Sequence, residues 1–391
     1  MTSIPQELIA AIVERVDDTA ALKACSLAGP RLCGPSQRVL LRSLALDTSH
    51  TQRHAALSAL LTESPHIATY VSKLILRVSF SDKRTVGSLQ DVLARFTNVR
   101  RCTIAGEYST ERWDPVSPLC PTLLDFIQRQ PLTELHLFFL QSIPIPAFAL
   151  FVSSAPTVTF YYAVVSAKDQ CDDPPKKVTR EKGMTQLLLS DHAETICDAL
   201  ARAPEHIRSL RKLKICPRHD YSTMLISSTA QTLEHLRIDC SLLISRRSAL
   251  PPLPLLEALR CVDLVIPSMH WNDPWLTDTL RTFFASAPPL LSEIRITDSM
   301  IIRSPLRQAQ PCLLPATLAA LDALIMDAVL PSSPCLRFLL QFDGRDERGG
   351  NDAVADLAKI VCEGMPRMHA EGRVGVQRHS YADDLREWPV L

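Results

Sequence analysis

The sequence is poor in glycine, with 11 residues in 391, against 29 prolines. We therefore expect prolines to end many helices and strands, and few turns to adopt the left-handed conformation that glycine favours. The chain also lacks a net charge, because 42 Lys and Arg residues balance 42 Asp and Glu residues. A general binder of polyanions would show a basic excess, so we expect no nucleic acid partner.

Cysteine pairs with metal-binding spacing are missing as well. The 12 cysteines are scattered, no C-x-x-C occurs, and no set of Cys and His has zinc spacing. There is no N-x-[ST] sequon, and the N-terminal residues carry Glu7 without a basic segment. We therefore expect reduced thiols, no bound metal, and a cytoplasmic or nuclear location.

Catalytic signatures are absent too. The patterns G-x-S-x-G, H-E-x-x-H, G-x-x-x-x-G-K-[ST] and G-x-G-x-x-G do not occur. The acidic segment 343–352 does not match an EF-hand, because its Gly and final Glu are out of place. We interpret it as an exposed loop before a helix at 353–362 with Asp352 as N-cap. The sequence thus predicts a protein that is not an enzyme and needs no cofactor.

One uncharged run, 137–167, is long enough to span a bilayer. Three prolines divide it into pieces that are each too short for this. We interpret the pieces as a strand at 135–140, a short helix at 147–153 and a strand at 158–165, with no membrane partner.

The first fifty residues carry the patterns of three short helices. In the first, apolar residues from Leu8 to Val16 recur at helical spacing and are predicted to form one face. The second covers 20–27 with Leu27 inward, and the third covers 35–46. Helices this short bury little area, so the segment is either a docking module for a partner or a cap of the following domain.

The order of residues in this segment resembles an F-box, in particular the F-box-like N-terminal segments of mushroom-type fungal proteins. The resemblance covers residues 3–47 and rests on Ile4-Pro5-x-Glu7-Leu8-Ile9-x-x-Ile12, Cys25-Ser26-Leu27 and Leu44-x-Leu46. It implies docking on the Skp1 adaptor of a cullin-RING ubiquitin ligase. The resemblance assigns a first adaptor contact to Pro5, Leu8, Ile9 and Ile12, and a second to Cys25, Ser26 and Leu27.

The chain departs from the family pattern after the second helix. The family usually continues with an apolar residue, a Cys and an Arg, and then a Trp, and Leu32 stands in place of that Trp. Gly29-Pro30 also ends the helix early. The departure concerns the second adaptor contact.

The rest of the chain repeats the pattern apolar-x-x-apolar-x-apolar. Copies start at Val71, Val99, Leu132, Met184, Leu210, Leu233, Leu259, Leu291 and Leu321, with a weaker copy at Val158 and a candidate last copy at Cys335. Successive starts lie 23 to 33 residues apart, near the range of about 20–29 for leucine-rich repeats.

Each copy reads as a strand, because its last two apolar positions share one strand face. Helical patterns that end at prolines lie between the strands. Such coils bury a core only by stacking, so the sequence predicts an α/β fold, an irregular leucine-rich-repeat solenoid with a parallel inner sheet and outer helices. The alternative, a doubly wound sheet, would need glycine-rich strand–helix turns.

We expect a helical segment at 1–47, a solenoid at 48–363 and a tail or cap at 364–391, where Val374 and Val376 could add an edge strand. The third and fifth positions of each repeat should face the inner wall. In the middle and late repeats these are Lys212, Lys214, His235, Arg237, Cys261, Asp263, Glu293 and Arg295. A solvated polar face would show this pattern, and so would a charge-patterned recognition surface.

Two loops carry further candidates. Lys176, Lys177, Arg180 and Lys182 follow two prolines and read as a solvated linker. Trp271 and Trp275 are equally consistent with anchors for a partner and with a loop buried under a repeat.

Together these features favour a non-catalytic substrate-recognition subunit of a Skp1–cullin–F-box ubiquitin ligase. It would bind an unknown target protein through the inner wall, with Lys212, Lys214, His235, Arg237, Asp263, Glu293 and Arg295. The alternative is a leucine-rich-repeat interaction scaffold without a ubiquitin-ligase role, whose N-terminal helices only cap the repeats.

Overall fold

The structure is a computed structural model. It describes residues 4–80, 86–106, 111–166, 183–190, 193–216, 220–240, 253–266, 274–285, 288–298, 315–329, 336–343 and 350–379. The chain divides into two compact units. The first consists of residues 1–184 and 191–199, and the second of residues 185–190 and 200–391.

The first unit begins with three helices and continues with alternating strands and helices. Its helices are α1 (Gln6–Val13), α2 (Thr19–Ala28), α3 (Pro30–Leu40), α4 (Thr51–Glu63), α5 (His66–Tyr70), α6 (Val86–Arg95), α7 (Leu119–Arg129) and α8 (Ile145–Ser154). Its strands are β1 (Ser43–Asp47), β2 (Lys73–Val78), β3 (Arg101–Gly106), β4 (Glu111–Arg112), β5 (Glu134–Phe138), β6 (Leu140–Gln141) and β7 (Thr157–Tyr161). A parallel sheet has the order β1-β2-β3-β5-β7, and β4 pairs with β6.

The second unit has the same alternation. Its strands are β8 (Gln186–Leu189), β9 (Lys212–Ile215), β10 (His235–Asp239), β11 (Cys261–Ile266), β12 (Glu293–Asp298), β13 (Arg337–Asp343) and β14 (Val374–His379). The helices are α10 (Asp220–Ser228), α11 (Pro274–Ala285), α12 (Pro315–Leu324), α13 (Gly350–Gly364) and α14 (Pro366–Ala370), while α9 (Glu194–Arg202) contains the boundary between the units. All seven strands are parallel and follow one another in chain order.

Strand order decides between the two folds that the sequence allows. Crossovers between parallel strands are right-handed, so an order that advances in one direction places the connecting helices on one face. A doubly wound sheet reverses its order and covers both faces. The strand order reverses in neither unit, and the predicted α/β repeat fold is confirmed within each unit.

The repeat motif builds the core of both units. In the first unit Leu74, Cys102, Leu135 and Val158 lie side by side on adjacent strands, and none of them is exposed. In the second unit Leu213, Leu236, Val262, Ile294 and Phe338 form the equivalent buried row. Each strand face therefore gains its apolar neighbours from the coils before and after it, as stacking requires.

The third helix was predicted at the wrong place. Helix α3 occupies Pro30–Leu40, and the following residues form β1 opposite β2. Proline at the first helical position loses no hydrogen bond, so a new helix can begin directly after Gly29 ends α2. Leu44-x-Leu46 alternates with the period of a strand, and this strand joins the parallel sheet.

The repeat copy predicted from Leu321 is also wrong. That residue lies in α12, which continues into a π-helical turn at Ile325–Val329. Leu318, Leu321 and Ile325 are buried at helical spacing. The sequence of α12 is rich in Ala and Leu and begins with proline, so it favours a helix over a turn and strand.

The end of the chain agrees better with the predicted repeats. The candidate copy from Cys335 is confirmed by β13, in which Phe338 and Leu340 are buried. The predicted edge strand with Val374 and Val376 is confirmed by β14. Asp352 is not an N-cap, because α13 begins two residues earlier at Gly350.

In two successive coils of the first unit, the chain changes direction sharply at equivalent positions directly after the strand. The strands predicted at 135–140 and 158–165 are cut short by Phe139 (φ 55°) and Tyr162 (φ 50°), both in the left-handed region. After each corner the chain pairs again, through β6 and through a bridge between Ile143 and Val165. The short helix predicted between them is confirmed by α8, and no helix in the described ranges is long and apolar enough to cross a membrane.

Candidate functional site

Local hydrogen bonds fix the three N-terminal helices against one another. Asp18 caps α2, accepting from the backbone N–H of Ala20 at 3.0 Å and of Ala21 at 3.1 Å. Arg31 donates to the carbonyl of Ile4 at 2.9 Å, and Gln6 donates to the carbonyl of Arg31 at 2.7 Å. These bonds bring the start of α1 to the junction of α2 and α3, which is also where α2 ends.

The apolar residues of these helices divide between an inner and an outer side. Val13 and Leu22 are buried, whereas Ile4, Leu8, Ile12 and Leu27 are 55%, 55%, 63% and 87% exposed. We call these four residues the exposed apolar set. The inward direction predicted for Leu27 is therefore wrong. The apolar face predicted for α1 is only partly buried, since α1 packs on α3 with Val13 2% exposed while Ile12 is 63% exposed.

The residues that the F-box resemblance names lie on both sides of this division. Leu8, Ile12 and Leu27 belong to the exposed apolar set, and Pro5 is exposed beside them. Ile9, Cys25 and Ser26 are half-buried. Among the adaptor residues assigned by resemblance, the three large aliphatic ones of the exposed set offer the most apolar area to a partner.

The second unit presents the predicted inner-wall residues on one sheet face, which we call the polar face. Strand pairing arranges them in two rows that cross the strands. One row is Lys212, His235, Cys261, Glu293 and Arg337, and the other is Lys214, Arg237, Asp263, Arg295 and Leu339. All seven residues predicted for target binding therefore lie in these rows.

A buried polar network lies at the centre of the polar face. Asp263 is 3% exposed, and its Oδ2 lies 3.3 Å from Arg237 Nε. The hydroxyl of Thr297 lies 2.7 Å from Asp263 Oδ1 and 3.1 Å from Gln341 Oε1. Glu293 pairs with Arg295 beside this network. Because buried charges need partners, this network holds the strands of the face in place.

His235 and Cys261 lie opposite each other on neighbouring strands, with Asp263 nearby. A thiol, an imidazole and a carboxylate in one place invite comparison with a cysteine nucleophile. Burial raises the pKa of the Cys261 thiol to about 12, and burial together with three nearby cations lowers the pKa of His235. The thiol stays protonated and the carboxylate is engaged by Arg237, so this set is a poor nucleophile.

A second polar cluster lies on β5 and β7 of the first unit. Glu134 pairs with Arg101 at 2.8 Å and lies 3.4 Å from His136 Nε2, while His136 Nδ1 lies 3.0 Å from the Thr159 hydroxyl. The hydrogen bond with His136, together with Arg101, lowers the pKa of Glu134. The order hydroxyl, imidazole, carboxylate is that of a catalytic triad, but Thr159 has no exposed surface through which a substrate could reach it.

Sequence reasoning missed Arg337 on the polar face and the cluster of Glu134 and His136. The signal was available, because all three occupy the third or fifth position of a repeat. The assignment was made only for the middle and late repeats. Arg337 belongs to the copy from Cys335, and the other two belong to the copy from Leu132.

The two loop candidates lie mostly beyond the described ranges. The basic segment 176–182, most of the acidic segment and Trp271 are outside them, whereas Trp275 lies half-buried in α11. Within the described ranges, no group of three or more His, Cys, Asp or Glu side chains could hold a metal ion.

The structure is similar to the leucine-rich repeat-containing protein LegL7 from Legionella pneumophila, with 12% identity, a TM-score of 0.42, and coverage of 86% of this chain and 91% of that protein. No protein-family model and no curated protein sequence matches the chain.

Proposed function

We propose that the chain is a substrate-recognition subunit of a Skp1–cullin–F-box ubiquitin ligase. The observation that carries the proposal is the exposed apolar set at the N-terminus. The four large aliphatic side chains of this set are exposed, although Val13 and Leu22 of the same N-terminal segment are buried. Fully burying such a side chain stabilises a complex by about 1.5–3 kcal/mol, so the set suits a partner surface better than water.

In this proposal the chain performs no bond chemistry. The N-terminal helices dock on a Skp1-like adaptor, and the polar face of the second unit holds a target protein. Residence on one assembly raises the local concentration of target lysines near a ubiquitin-loaded enzyme. The protonated Cys261 thiol and the Asp263 carboxylate engaged by Arg237 are consistent with a binding surface that takes no part in proton transfer.

Capture by a purified Skp1-like adaptor tests the proposal. The double variant Leu8→Asp, Ile12→Asp places two carboxylates in the exposed apolar set, where they cost the fold little because both side chains face solvent. We expect the adaptor affinity to fall by at least about 100-fold, the equivalent of two lost aliphatic contacts.

Leu60→Asp is the matched control, because Leu60 is an exposed leucine on α4 of the same unit. This variant should bind the adaptor as the wild type does. If the wild-type chain fails to capture the adaptor, or if the double variant captures it equally well, the proposal is wrong.

A second candidate function is a repeat scaffold whose N-terminal helices only cap the first coil. The packing of α3 on α5 favours it, with Arg38 placed over the Tyr70 ring at 5.7 Å. The carbonyl of Arg42 also accepts from the backbone N–H of Ser72 and Lys73. Such a scaffold would bind partners through the same polar face without an adaptor.

A further inference from the structure

Among the side chains that the structure describes, the polar face of the second unit carries more positive than negative charge. The described cations are Lys212, Lys214, Arg237, Arg295 and Arg337, and the described carboxylates are Asp239, Asp263 and Glu293. The chain as a whole is neutral, so this excess is a local property of the face. Local charge of one sign steers and selects partners of the opposite sign.

The negative charges of the face are already engaged within the unit. Asp263 contacts Arg237 and Thr297, and Glu293 pairs with Arg295. Asp239 has an interaction partner as well. Asp263 and Glu293 therefore neutralise Arg237 and Arg295 and leave little negative potential for a basic ligand.

Two cations are left at the ends of the first row. Lys212 and Arg337 are exposed, and within the described ranges neither forms an ion pair. Burial lowers the pKa of His235, next to Lys212 in the row, and Arg295, Lys212 and Arg237 act in the same direction while Asp263 opposes them. The open charge of the face is positive.

From this arrangement we infer that the target segment held by the polar face is an acidic peptide, a stretch of protein rich in Asp and Glu. Four strand spacings separate β9 from β13, about 19 Å at 4.8 Å per spacing. An extended peptide of about six residues covers that distance, so one segment can reach both Lys212 and Arg337. The inference rests on the proposed function, in which this face holds the target.

Fluorescence anisotropy with the full chain and labelled octaglutamate tests the inference, with octaglutamine and octalysine as comparison peptides. We expect octaglutamate to bind more tightly than either, with an affinity that falls as salt is added. The double variant K212Q/R337Q should bind it about tenfold more weakly, as expected for two partly screened charge contacts.

The matched control is R208Q/K359Q, which removes two exposed cations of the same unit that lie outside the sheet. It should keep the wild-type affinity.

The reversal variant K212E/R337E should prefer octalysine, a gain that an unfolded chain would not show. Equal binding of all three peptides, or equal losses in K212Q/R337Q and the control, would overturn the inference. Tighter binding of a single-stranded oligothymidine of equal charge would also overturn it.

Adaptor capture is measured on the same samples, so that the two proposals can fail separately. Loss of octaglutamate selectivity with adaptor capture intact overturns the inference alone. Selective octaglutamate binding without adaptor capture supports the inference for a scaffold and removes the ubiquitin-ligase role.

Discussion

Individual charged residues of this chain differ greatly in what they contribute. The Arg237–Asp263 pair lies in the interior of the polar face, with side chains 14% and 4% exposed, whereas Asp278 and Arg281 form a pair in which both side chains are about two-thirds exposed. Removing one partner of a buried pair leaves a charge that water cannot solvate. Solvent screens the exposed pair, which therefore contributes little.

The variant Asp263→Asn tests this difference. It keeps the shape of the side chain but withdraws the negative charge from Arg237, and we expect a loss of about 3 kcal/mol of stability. For a unit of this size the melting temperature should fall by about 6–12 °C in differential scanning calorimetry.

The control Asp278→Asn changes the exposed pair in the same way and should shift the melting temperature by about 2 °C or less. Similar shifts in the two variants would show that the buried network does not hold the polar face.

At the scale of elements, the contact between α12 and α13 depends on one glycine. A Cβ atom at Gly364 would lie 2.5 Å from Leu318 Cδ1 and 2.6 Å from Leu318 Cβ, which is too close for either atom. Leu318 is fully buried, so its Cβ cannot move without moving α12. The two helices approach this closely only because position 364 has no side chain.

We therefore expect Gly364→Ala to lower the free energy of unfolding by about 1–3 kcal/mol, as overpacked cores do. Urea unfolding measures this change.

Gly87→Ala, in α6, is the matched control because no atom lies within 4 Å of its added Cβ. Gly87→Ala should be neutral or slightly stabilising. A neutral Gly364→Ala would contradict the close contact, and combining it with Leu318→Ala should cost less than the sum of the two single changes.

The elements that sequence could predict are those whose apolar spacing has one interpretation. Leu213-x-Ile215 and Leu236-x-Ile238 alternate with polar residues and were assigned to strands correctly. Leu321-x-x-Leu324 fits a helix as well as a turn and strand, and only the preceding Pro315 and alanines favour the helix. Left-handed corners at Phe139 and Tyr162 could not be predicted, because aromatic residues do not favour that conformation.

The candidate site was predictable in its positions but not in its contacts. Motif spacing alone places Lys212 and Arg237 on the polar face. The contact of Thr297 with Asp263 joins residues 34 positions apart and depends on strand register, which repeat spacing leaves open. For the same reason, which cations stay open and which are neutralised emerges only from the structure.

At the scale of the molecule, the N-terminal helices and the repeats can be separated experimentally. Strand β1 belongs to the sheet of the first unit, so a truncation should remove residues 1–40 and leave β1 in place. As a docking module, the helices should leave behind a chain that melts within a few degrees of the wild type and binds octaglutamate equally well, but no longer captures the adaptor.

As a cap, the helices should leave the buried face of the first coil exposed when they are removed, and the truncated chain should aggregate. Size-exclusion chromatography and calorimetry distinguish the two results. Aggregation of the truncated chain would favour the scaffold and count against the docking module.

The alternation of buried and polar positions along the strands also limits where residues can be inserted into the chain or deleted from it. One residue inserted into β11 would turn Val262 and Leu264 towards water and drive the charges of its neighbours into the interior. The segments between strands have no such constraint, and the repeat starts, without Leu321, already lie 23 to 44 residues apart. Duplications and deletions in the lineage of this protein should therefore accumulate between strands, and the width of its polar face should change by whole coils.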